Sequence, residues 1–427
     1  MSQSDHVCIA SRPGVAGGLT PMPRAGIGRR TLRVGLVGCG AFARFSMAQY
    51  RQIHDVQIAA VSDIDPLAAG RAALELAAEA RTPEAMLAAP DIDLVYIATP
   101  PGLHHRQAAA ALVAGKHALV EKPLATTLAD AEELEALAAA RSLVCVANLV
   151  ERYNPLADTM RRLIESQILG CLIHGLFINE AADEGLGREH WFWKRGLSGG
   201  IFVEHGVHFF DLVASWLGKG RVVAAARSLR PADGAAADAG GAAGQEPVEE
   251  QVVCTCRYPA PGCGAAAAPA PACPAQGGVL FHFEHGFHQP SRMDRQELRL
   301  VFERGEVRLF DWVPTRGEVR ALVDDDTVGI LARMLPGGRV CTADRYEGRG
   351  RHMRGRFQPF EATALVEITF DLGLSKLDLY AQVVRDLAAD QIAAIRDPAH
   401  PRRLTEADSV AAVALACEAD RMALAGL

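Results

Sequence analysis

The feature that most constrains this chain is a regular alternation of short apolar runs with alanine-rich stretches between residues 31 and 150. The apolar runs are almost continuous and lie in TLRVGLVG, VQIAAVSD, DLVYIAT, KHALVEKP and LVCVANL. Continuous apolar strands separated by helices are typical of a parallel sheet covered on both faces. The pattern therefore predicts an α/β domain with a doubly wound parallel sheet over residues 31–150.

The pattern changes after residue 150, where one long helix over about residues 200–217 precedes several strands. Glycine or proline turns between neighbouring strands predict hairpins. We therefore expect an α+β domain with a large, mostly antiparallel sheet over residues 151–427, closed by helices over 377–396 and 405–424. Residues 320–371 show no pattern that assigns them to helix or strand.

Three segments are predicted to lie outside the packed core. Residues 1–30 are rich in glycine, proline and small polar residues, which indicates a disordered tail. Segments at about 231–250 and 259–277 are low in complexity, dominated by alanine, glycine and proline, and predict long surface loops.

The overall composition excludes several classes of partner. The net charge of −7 provides no basic field for nucleic acid or an anionic membrane. No apolar run reaches the ~20 residues that a membrane span needs. The ten cysteines are scattered and do not form a disulfide framework, which favours a reducing cytoplasm.

A glycine pattern follows the first predicted strand and opens the first helix. In VGLVGCGAFAR, Gly38, Gly40 and Ala43 have the G-x-G-x-x-A spacing. The first glycine permits a tight turn, the second lets the backbone approach a pyrophosphate, and the small third residue lets helix and strand pack closely. Because the helix N-terminus also offers amides to phosphates, this context predicts a Rossmann dinucleotide site.

Asp63 ends the second strand, where a carboxylate can accept hydrogen bonds from the adenosine ribose hydroxyls. No arginine stands beside it in the sequence, and a carboxylate repels a 2′-phosphate. We therefore expect NAD as the cofactor, with NADP less favoured.

Several motifs together resemble one protein family. They are GLVGCGAFA, SDID, ATPPGLHH, AALVAGKHALVEKPLA, ERYNP and SGGIFVEHGVHFFDL, in this order along the chain. The chain is similar over residues 32–218 to the glucose–fructose oxidoreductases and inositol dehydrogenases, the Gfo/Idh/MocA family. It is weakly similar over 278–312 and 377–424.

The resemblance implies roles for individual residues. Lys122 would be a catalytic lysine beside the cofactor, preceding an often cis bond to Pro123, and His208 would be the general acid/base. Arg152 and Asn154 would lie at the entrance to the substrate domain. The implied cofactor contacts, combined with those of the glycine turn, are Gly38, Gly40, Ala41, Phe42, Ala43, Asp63, Thr99, Pro100, His104, Glu121 and Lys122.

The segment GGIFVEHGVHFFD raises the question of why charged residues stand among aromatic ones. A helix over 200–217 would carry on one face Glu204, His208, Asp211 and Ser215. His205 would lie on another face with a structural role. An imidazole suits exchange of a carbinol proton, because its pKa lies near neutrality. Glu204 could orient His208 or relay its proton, although relatives typically carry aspartate there, and Asp211 is a candidate substrate contact.

Other side chains offer weaker signals. Trp191 and Trp193 could stack on the apolar faces of a sugar ring. In a strand, His282 and His288 would share one face, whereas His285 would point to the other. A predicted loop divides the cysteines Cys254, Cys256, Cys263 and Cys273. We therefore predict no metal site in either group.

These observations predict an NAD(P)-dependent oxidoreductase acting on a secondary alcohol of a sugar, cyclitol or related polyol. Two alternatives remain open: a glycosidase or lyase that uses NAD in a redox cycle, and a non-catalytic NAD-binding sensor. A sheet with one uncovered face further predicts a homo-oligomer, a dimer or tetramer.

Overall fold

The computed structural model describes residues 30–183, 185–230, 248–260 and 277–426. The predicted tail, apart from Arg30, and most of the two predicted loops lie outside these residues. The loop prediction over 231–250 is wrong at its end, because a strand begins at Val248. Glu249 is buried there and pairs with Arg195 and Arg227, which ties this segment to the sheet.

The first half of the chain forms a six-stranded parallel sheet in the order β3-β2-β1-β4-β5-β6. The strands are β1 Leu32–Val37, β2 Val56–Ser62, β3 Glu79–Ala80, β4 Leu94–Ile97, β5 His117–Val120 and β6 Cys145–Ala147. The helices between them are α1 Ala41–Tyr50, α2 Pro66–Leu76, α3 Pro83–Ala88, α4 His104–Val113 and α5 Leu128–Arg141. The strand order changes direction at β1, and such switch points open a ligand crevice beyond the carboxyl ends of the strands. The predicted doubly wound sheet is confirmed.

Side-chain caps define where most of these helices begin. Asp65 accepts a hydrogen bond from Leu67 N at 2.9 Å and is followed by Pro66 at the first helical position of α2. Thr127 caps α5 in the same way through Asp130 N. Helix α1 differs, since its N-cap is Gly40 and no side chain caps it. The first-turn amides of α1 therefore stay available to a ligand.

The second half forms a nine-stranded sheet in the order β14-β17-β13-β12-β11-β7-β10-β9-β8. Its strands are β7 Leu172–Glu180, β8 Arg221–Arg230, β9 Val248–Tyr258, β10 Val279–Gly286, β11 Arg295–Phe302, β12 Gly305–Phe310, β13 Arg316–Val323, β14 Arg339–Arg345 and β17 Ala364–Asp371, with the small pair β15 His352–Met353 and β16 Phe360–Glu361 beside it. All neighbours are antiparallel except β7 and β10. The predicted, mostly antiparallel sheet is confirmed.

The helices of this half are α6 Pro155–Ser166, α7 Arg195–Ser198, α8 Val207–Leu217, α9 Asp325–Met334, α10 Lys376–Arg396 and α11 Glu406–Ala425. The two closing helices match the prediction, whereas residues 320–371, left unassigned above, contain α9 and four strands. Within the described ranges, no helix is long and apolar enough to cross a membrane.

The predicted helix over 200–217 is present from residue 201 to residue 217, but it is not one regular α-helix. Residues Phe202–Gly206 form a π-helical turn, and the α-helix begins only at Val207. The wider turn changes the direction of side chains relative to one continuous α-helix, and such turns recur at functional sites.

The C-terminal helices join the two halves. Ser409 Oγ and Glu406 Oε1 of α11 accept hydrogen bonds from the backbone amides of Ala147 and Cys145, at 3.2 and 3.1 Å. These contacts cover the edge strand β6, whose free amides would otherwise need water or another partner. Tyr380 of α10 packs its ring 5.6 Å from that of Phe42 in α1. The first turn of α1 is thus fixed against the second half.

Candidate active site

A cavity of about 470 Å³ opens between the carboxyl ends of the first sheet and one face of the second. The first half contributes four lining residues: Phe42, Glu121, Lys122 and Asn148. The second half contributes the remaining residues: Asn179, Ala181, Ala182, Asp183, Leu186, His190, Trp191, Phe192, Trp193, Glu204, His205, His208, Phe287, Asp294, Gln296, Trp312, Lys376 and Tyr380.

The glycine turn has the geometry that a dinucleotide requires. Gly38 has φ of +91°, and a Cβ atom there would lie 2.5 Å from the carbonyl oxygen of Ala98. A Cβ at Gly40 would meet no atom within 4 Å, so the space in front of the uncapped end of α1 is open. Ala43 is buried where α1 meets the sheet, and Ala41 is exposed beside the opening. These residues fit a bound pyrophosphate.

Asp63 lies beside this turn, at the end of β2. Its Oδ2 accepts a hydrogen bond from Cys39 N at 2.7 Å, and its Oδ1 accepts one from Asp65 N at 2.9 Å. The carboxylate is thereby held at the adenosine end of the predicted cofactor position.

His104, which follows β4, has a structural role and not the predicted contact with the cofactor. His104 was expected to contact the cofactor, but it is fully buried. Its Nδ1 and Nε2 lie 2.7 Å from the carbonyl oxygens of Pro123 and Thr99. Burial lowers the pKa of His104, against the opposing effect of the two carbonyl oxygens. The imidazole therefore holds two strand-end loops together and is too enclosed to touch a ligand.

Thr99 and Pro100 stay partly exposed at the end of β4. The Thr99 hydroxyl donates to Gln107 Oε1, and Pro100 caps a short turn of 3-10 helix over Pro101–Leu103. Neither residue lines the cavity, and their predicted contacts with the cofactor remain predictions.

Lys122 and Glu204 form a charged pair across the cavity. The Lys122 Nζ donates to the Glu204 backbone oxygen at 2.8 Å and to its carboxylate Oε1. The Lys122–Pro123 bond is cis, as the resemblance implies. Glu204 was expected to orient His208, but its carboxylate holds the lysine. This ion pair thus joins the end of β5 to the π-helical turn.

Two histidines line the same wall of the cavity. His208 is buried, and its Nδ1 has no hydrogen-bond partner in the described part of the chain. Burial, reinforced by the nearby charge of Lys122, lowers the pKa of His208 well below its ordinary value. His205 was predicted to lie on a structural face, but it also lines the cavity. Residues three apart can share a face, and the π-helical turn brings both rings to this wall.

The predicted substrate contacts Arg152, Asn154 and Asp211 do not line the cavity. The Arg152 guanidinium donates to both carboxylate oxygens of Asp211, with Nε to Oδ2 at 2.9 Å, and the pair is buried. Asn154 Oδ1 caps α6 through Leu156 N, and its Nδ2 donates to the Pro314 oxygen. Because their polar groups bond one another or the backbone of other segments, these residues link packed elements and are corrected to structural roles.

Trp191 and Trp193 both reach the cavity. Trp193 is mostly buried, donates from Nε1 to the Leu186 oxygen at 3.0 Å, and has the Arg230 guanidinium 5.0 Å from its ring centre. Trp191 is half-buried with a freer ring. Trp191 is thus the better placed of the two to meet a ligand.

Comparison with known proteins identifies the family. Residues 32–149 match the model of an oxidoreductase family with an NAD-binding Rossmann fold, and residues 157–308 match the Gfo/Idh/MocA C-terminal domain. The chain belongs to the Gfo/Idh/MocA family. This membership confirms the predicted family and the predicted class of cofactor.

Individual relatives match only part of this chain. A dTDP-3,4-didehydro-2,6-dideoxy-alpha-D-glucose 3-reductase of Saccharopolyspora spinosa is 35% identical over 144 residues, 33% of this chain and 43% of that protein. A glycosyl hydrolase family 109 protein of Shewanella amazonensis is 30% identical over 195 residues, 41% of this chain and 43% of that protein. The chain therefore spans less than half the length of these curated relatives.

Solved structures agree in fold over nearly the whole chain. A levoglucosan dehydrogenase in complex with NADH and L-sorbose superposes with a TM-score of 0.68 at 18% identity, covering 93% of this chain and 97% of that one. At 18% identity, this similarity establishes that the two chains share a fold.

Sequence reasoning missed several lining residues. Asn148 directly follows β6, and its position at a strand end was a usable signal. Its Nδ2 donates to Glu121 Oε1 at 2.9 Å, and the Tyr96 hydroxyl donates to the same oxygen. Burial raises the pKa of Glu121 to about 7 against the opposing effect of these donors and of Lys122. The Glu121 carboxyl group, whose pKa lies near neutrality, is therefore next to Lys122 in the site.

Trp312, Lys376 and Tyr380 also line the cavity, and no local motif marks them. Their position depends on how α10 and the end of β12 dock against α1, which is a long-range outcome of folding. The Lys376 Nζ lies 5.7 Å from the Trp312 ring centre at the cavity mouth.

His285 lies behind His205 with 5.3 Å between the ring centres. It is fully buried among aromatic rings, and neither nitrogen has a partner in the described residues. On the same strand His282 is exposed and contacts Thr255 Oγ1. Burial lowers the pKa of His285 to about 3. Because the unfolded chain binds this proton more readily, the protein loses stability as the pH falls below about 6.5.

We predict that His285→Phe reduces this acid sensitivity. Replacing the imidazole by an apolar ring should shrink the drop in unfolding free energy between pH 8 and pH 5 by about 2 kcal/mol, the linkage value for a shift of this size. Urea unfolding at both pH values measures the change. His282→Phe, on the exposed face of the same strand, is the control. An unchanged pH dependence in His285→Phe would show that this imidazole is protonated in the folded state.

Proposed function

We propose that this protein is a dehydrogenase that transfers a hydride between nicotinamide dinucleotide and a secondary alcohol of a sugar, cyclitol or related polyol. The observation that carries the proposal is the meeting of Lys122, from the end of β5, with His208, from α8, in one cavity. A nicotinamide ring bound beyond the glycine turn would supply the hydride acceptor or donor. Family membership and relatives named as reductases support this assignment.

Lys122 is suited to hold the reacting oxygen. An ammonium group has three N–H donors, and two of them bond Glu204 through its backbone oxygen and its carboxylate. The third donor is left for the alcohol or carbonyl oxygen of the substrate. A fixed positive charge there stabilises negative charge that develops on this oxygen.

His208 is suited to move the hydroxyl proton. Burial and the charge of Lys122 lower the pKa of His208, so the ring is neutral at physiological pH. A neutral imidazole accepts a proton from an alcohol as it is oxidised and returns it in the reverse reaction. Glu204 acts on this chemistry by positioning Lys122.

We predict that His208→Ala lowers turnover about 10²- to 10⁴-fold, the usual contribution of a general acid/base. Cofactor affinity should change little, because α8 does not form the glycine turn. The measurements are NADH absorbance during turnover with a panel of sugars and cyclitols, and fluorescence titration with NADH. His282→Ala is the surface control. Near-normal turnover in purified His208→Ala would refute the assignment.

The same absorbance measurement tests the glycosidase alternative. A dehydrogenase accumulates free NADH in proportion to product. An enzyme with a redox cycle restores NAD within each turnover, so product would form with no net NADH.

We further propose that NAD is preferred over NADP because Asp63 places a negative charge where the 2′-phosphate would lie. Asp63→Asn keeps an oxygen that can accept from Cys39 N but removes the charge. We expect the ratio of NADPH to NADH affinity to rise about tenfold, equivalent to about 1.4 kcal/mol. Fluorescence titration with both cofactors measures it, with Asp65→Asn as the control. An unchanged ratio would contradict a role of the Asp63 charge in cofactor choice.

The outer face of the nine-stranded sheet supports a homo-oligomer. Helices α8 and α11 pack on the opposite face. On the outer face Val253 of β9 is 38% exposed. Cross-strand ion pairs lie further across the same sheet, on β11 to β13, among them Arg299–Glu306 and Arg308–Glu318. We propose that two copies pair through this face. Light scattering should show a dimer or tetramer that Val253→Arg dissociates, with Thr369→Arg at the far end of the sheet as the comparison. A monomer at micromolar concentration would overturn the proposal.

A further inference from the structure

Four charged side chains meet behind the π-helical turn. They are Arg195 of α7, Arg227 of β8, Glu249 of β9 and Asp420 of α11, and we call them the anchor cluster. Glu249 is 6% exposed, and its Oε1 accepts hydrogen bonds from Arg195 Nη1 at 2.6 Å and from Arg227 Nη1 at 3.2 Å. Arg195 Nη2 donates to Asp420 Oδ2. Two cations and two anions from four elements therefore compensate one another in a largely buried position.

The second oxygen of Glu249 binds the backbone where the turn begins. Its Oε2 accepts a hydrogen bond from Ile201 N at 3.1 Å. Ile201 is the first residue of the helical segment that continues as the π-helical turn, and its own side chain provides no cap. The first amides of a helix lack partners within the helix, and a negative charge beside them is stabilising. Glu249 thus caps this segment from a distant strand.

Two glycines bring the backbone against the anchor cluster. Gly199 and Gly200, which follow α7, have φ of +84° and +92°, a conformation that favours glycine. A Cβ atom at Gly200 would lie 2.6 Å from Arg195 Nη1 and 3.0 Å from Glu249 Oε2. The approach of Gly200 to the cluster therefore requires that it carry no side chain. A Cβ atom at Gly196, within α7, would lie in open space among the described residues.

The same junction adjoins the catalytic groups of both halves. A Cβ atom at Gly199 would lie 3.4 Å from Thr126 Cβ, in the loop that follows β5. Glu204 N donates to the Gly200 oxygen at 2.9 Å. The anchor cluster is therefore connected through one backbone hydrogen bond to the residue that holds Lys122. A shift at the start of the turn would displace the Glu204 carboxylate and the imidazole that follows it one turn later.

From these contacts we propose that Glu249 is a positioning residue for the hydride-transfer site. It holds the start of the π-helical turn, and the turn determines where the Lys122–Glu204 pair and His208 lie. The inference rests on the proposed function and assigns a part in it to a residue outside the cavity. Without this carboxylate the Ile201 amide loses its acceptor, so the turn moves or changes to α-helical hydrogen bonding.

The alternative is that the anchor cluster only stabilises the fold. Removing one partner of a buried ion pair is strongly destabilising, even where the intact pair adds little net stability. A loss of global stability lowers the amount of folded protein but leaves the rate constant of each folded molecule unchanged. The two roles are therefore distinguished by turnover per folded molecule and by the local mobility of the turn.

The test compares Glu249→Gln with Glu250→Gln, the same change at the next residue of β9. Glu250 pairs with Arg230 at 3.4 Å. In Glu249→Gln we expect hydrogen–deuterium exchange over residues 199–208 to rise about tenfold, with no change in β1 and α1. We expect kcat per folded molecule, with NAD and a panel of polyols, to fall about ten- to hundredfold, because a small misplacement of reacting groups has an effect of this size. The KM for NAD should stay within about twofold. Glu250→Gln should leave exchange and kcat unchanged.

A second pair of variants tests the same contact if Glu249→Gln does not fold. In Gly200→Ala the added methyl group would displace Arg195 and Glu249 from the start of the turn. It should give the same local rise in exchange and the same fall in kcat. Gly196→Ala, whose methyl group would lie in open space, is the control.

Three results would contradict the inference: unchanged exchange over 199–208 in the folded variants, an unchanged kcat per folded molecule, or equal effects of Glu249→Gln and Glu250→Gln. The exchange measurement requires no substrate, so the outcome is separable from the proposed function. If exchange rises as expected in a protein that oxidises no alcohol, the hold of Glu249 on the turn stands and dehydrogenase activity fails. If all variants oxidise polyols equally well, the activity stands and the positioning role fails.

Discussion

The site depends on one charged contact between the two halves of the chain. The Lys122 ammonium stands at the carboxyl end of a parallel strand, and both of its protein partners belong to Glu204 of the second half. Both side chains are largely buried, so the charges are poorly compensated by water and need each other. Removing either side chain would leave the other charge buried without its partner. The pair therefore fixes the distance across which Lys122 and His208 face a ligand.

The π-helical turn makes this contact possible. It offers a backbone oxygen as well as a carboxylate to the lysine, and it leaves His205 and His208 on the cavity wall. The Glu204 side chain reaches the lysine, and the backbone oxygen of the same residue accepts from the same ammonium group. One residue of the turn thus supplies both contacts between the halves at this point.

The sequence alone predicted those parts of the structure that depend on residues close to one another along the chain. The strand–glycine turn–helix unit from β1 to α1, the strand-end position of Lys122 and the closing helices all follow from periodicity and turn chemistry over a few residues. Helical spacing predicted that Asp211 lies near the face of His208, but it could not show that Asp211 pairs with Arg152 of a distant segment.

Contacts between distant segments were beyond such reasoning. Nothing near His104 in the sequence shows that its two nitrogens meet carbonyl oxygens of two different loops. Tyr380 and Trp312 likewise enter the site only because α10 docks on α1, which brings their rings to 5.2 Å from each other.

The aromatic lining of the cavity and the proton chemistry are physically linked. Trp312, which lines the cavity, lies 6.0 Å from the His208 ring, and the buried Phe209 lies 6.3 Å from it. A ring that offers an apolar surface to a ligand is therefore also part of what removes water from the imidazole. That burial keeps His208 neutral and ready to accept a proton. It also strengthens the attraction between Lys122 and an oxygen that gains negative charge, since electrostatic interactions grow as water is excluded. A substrate that displaces water from this cavity would therefore improve the electrostatics of its own reaction, whereas one that carries water into the cavity would weaken them.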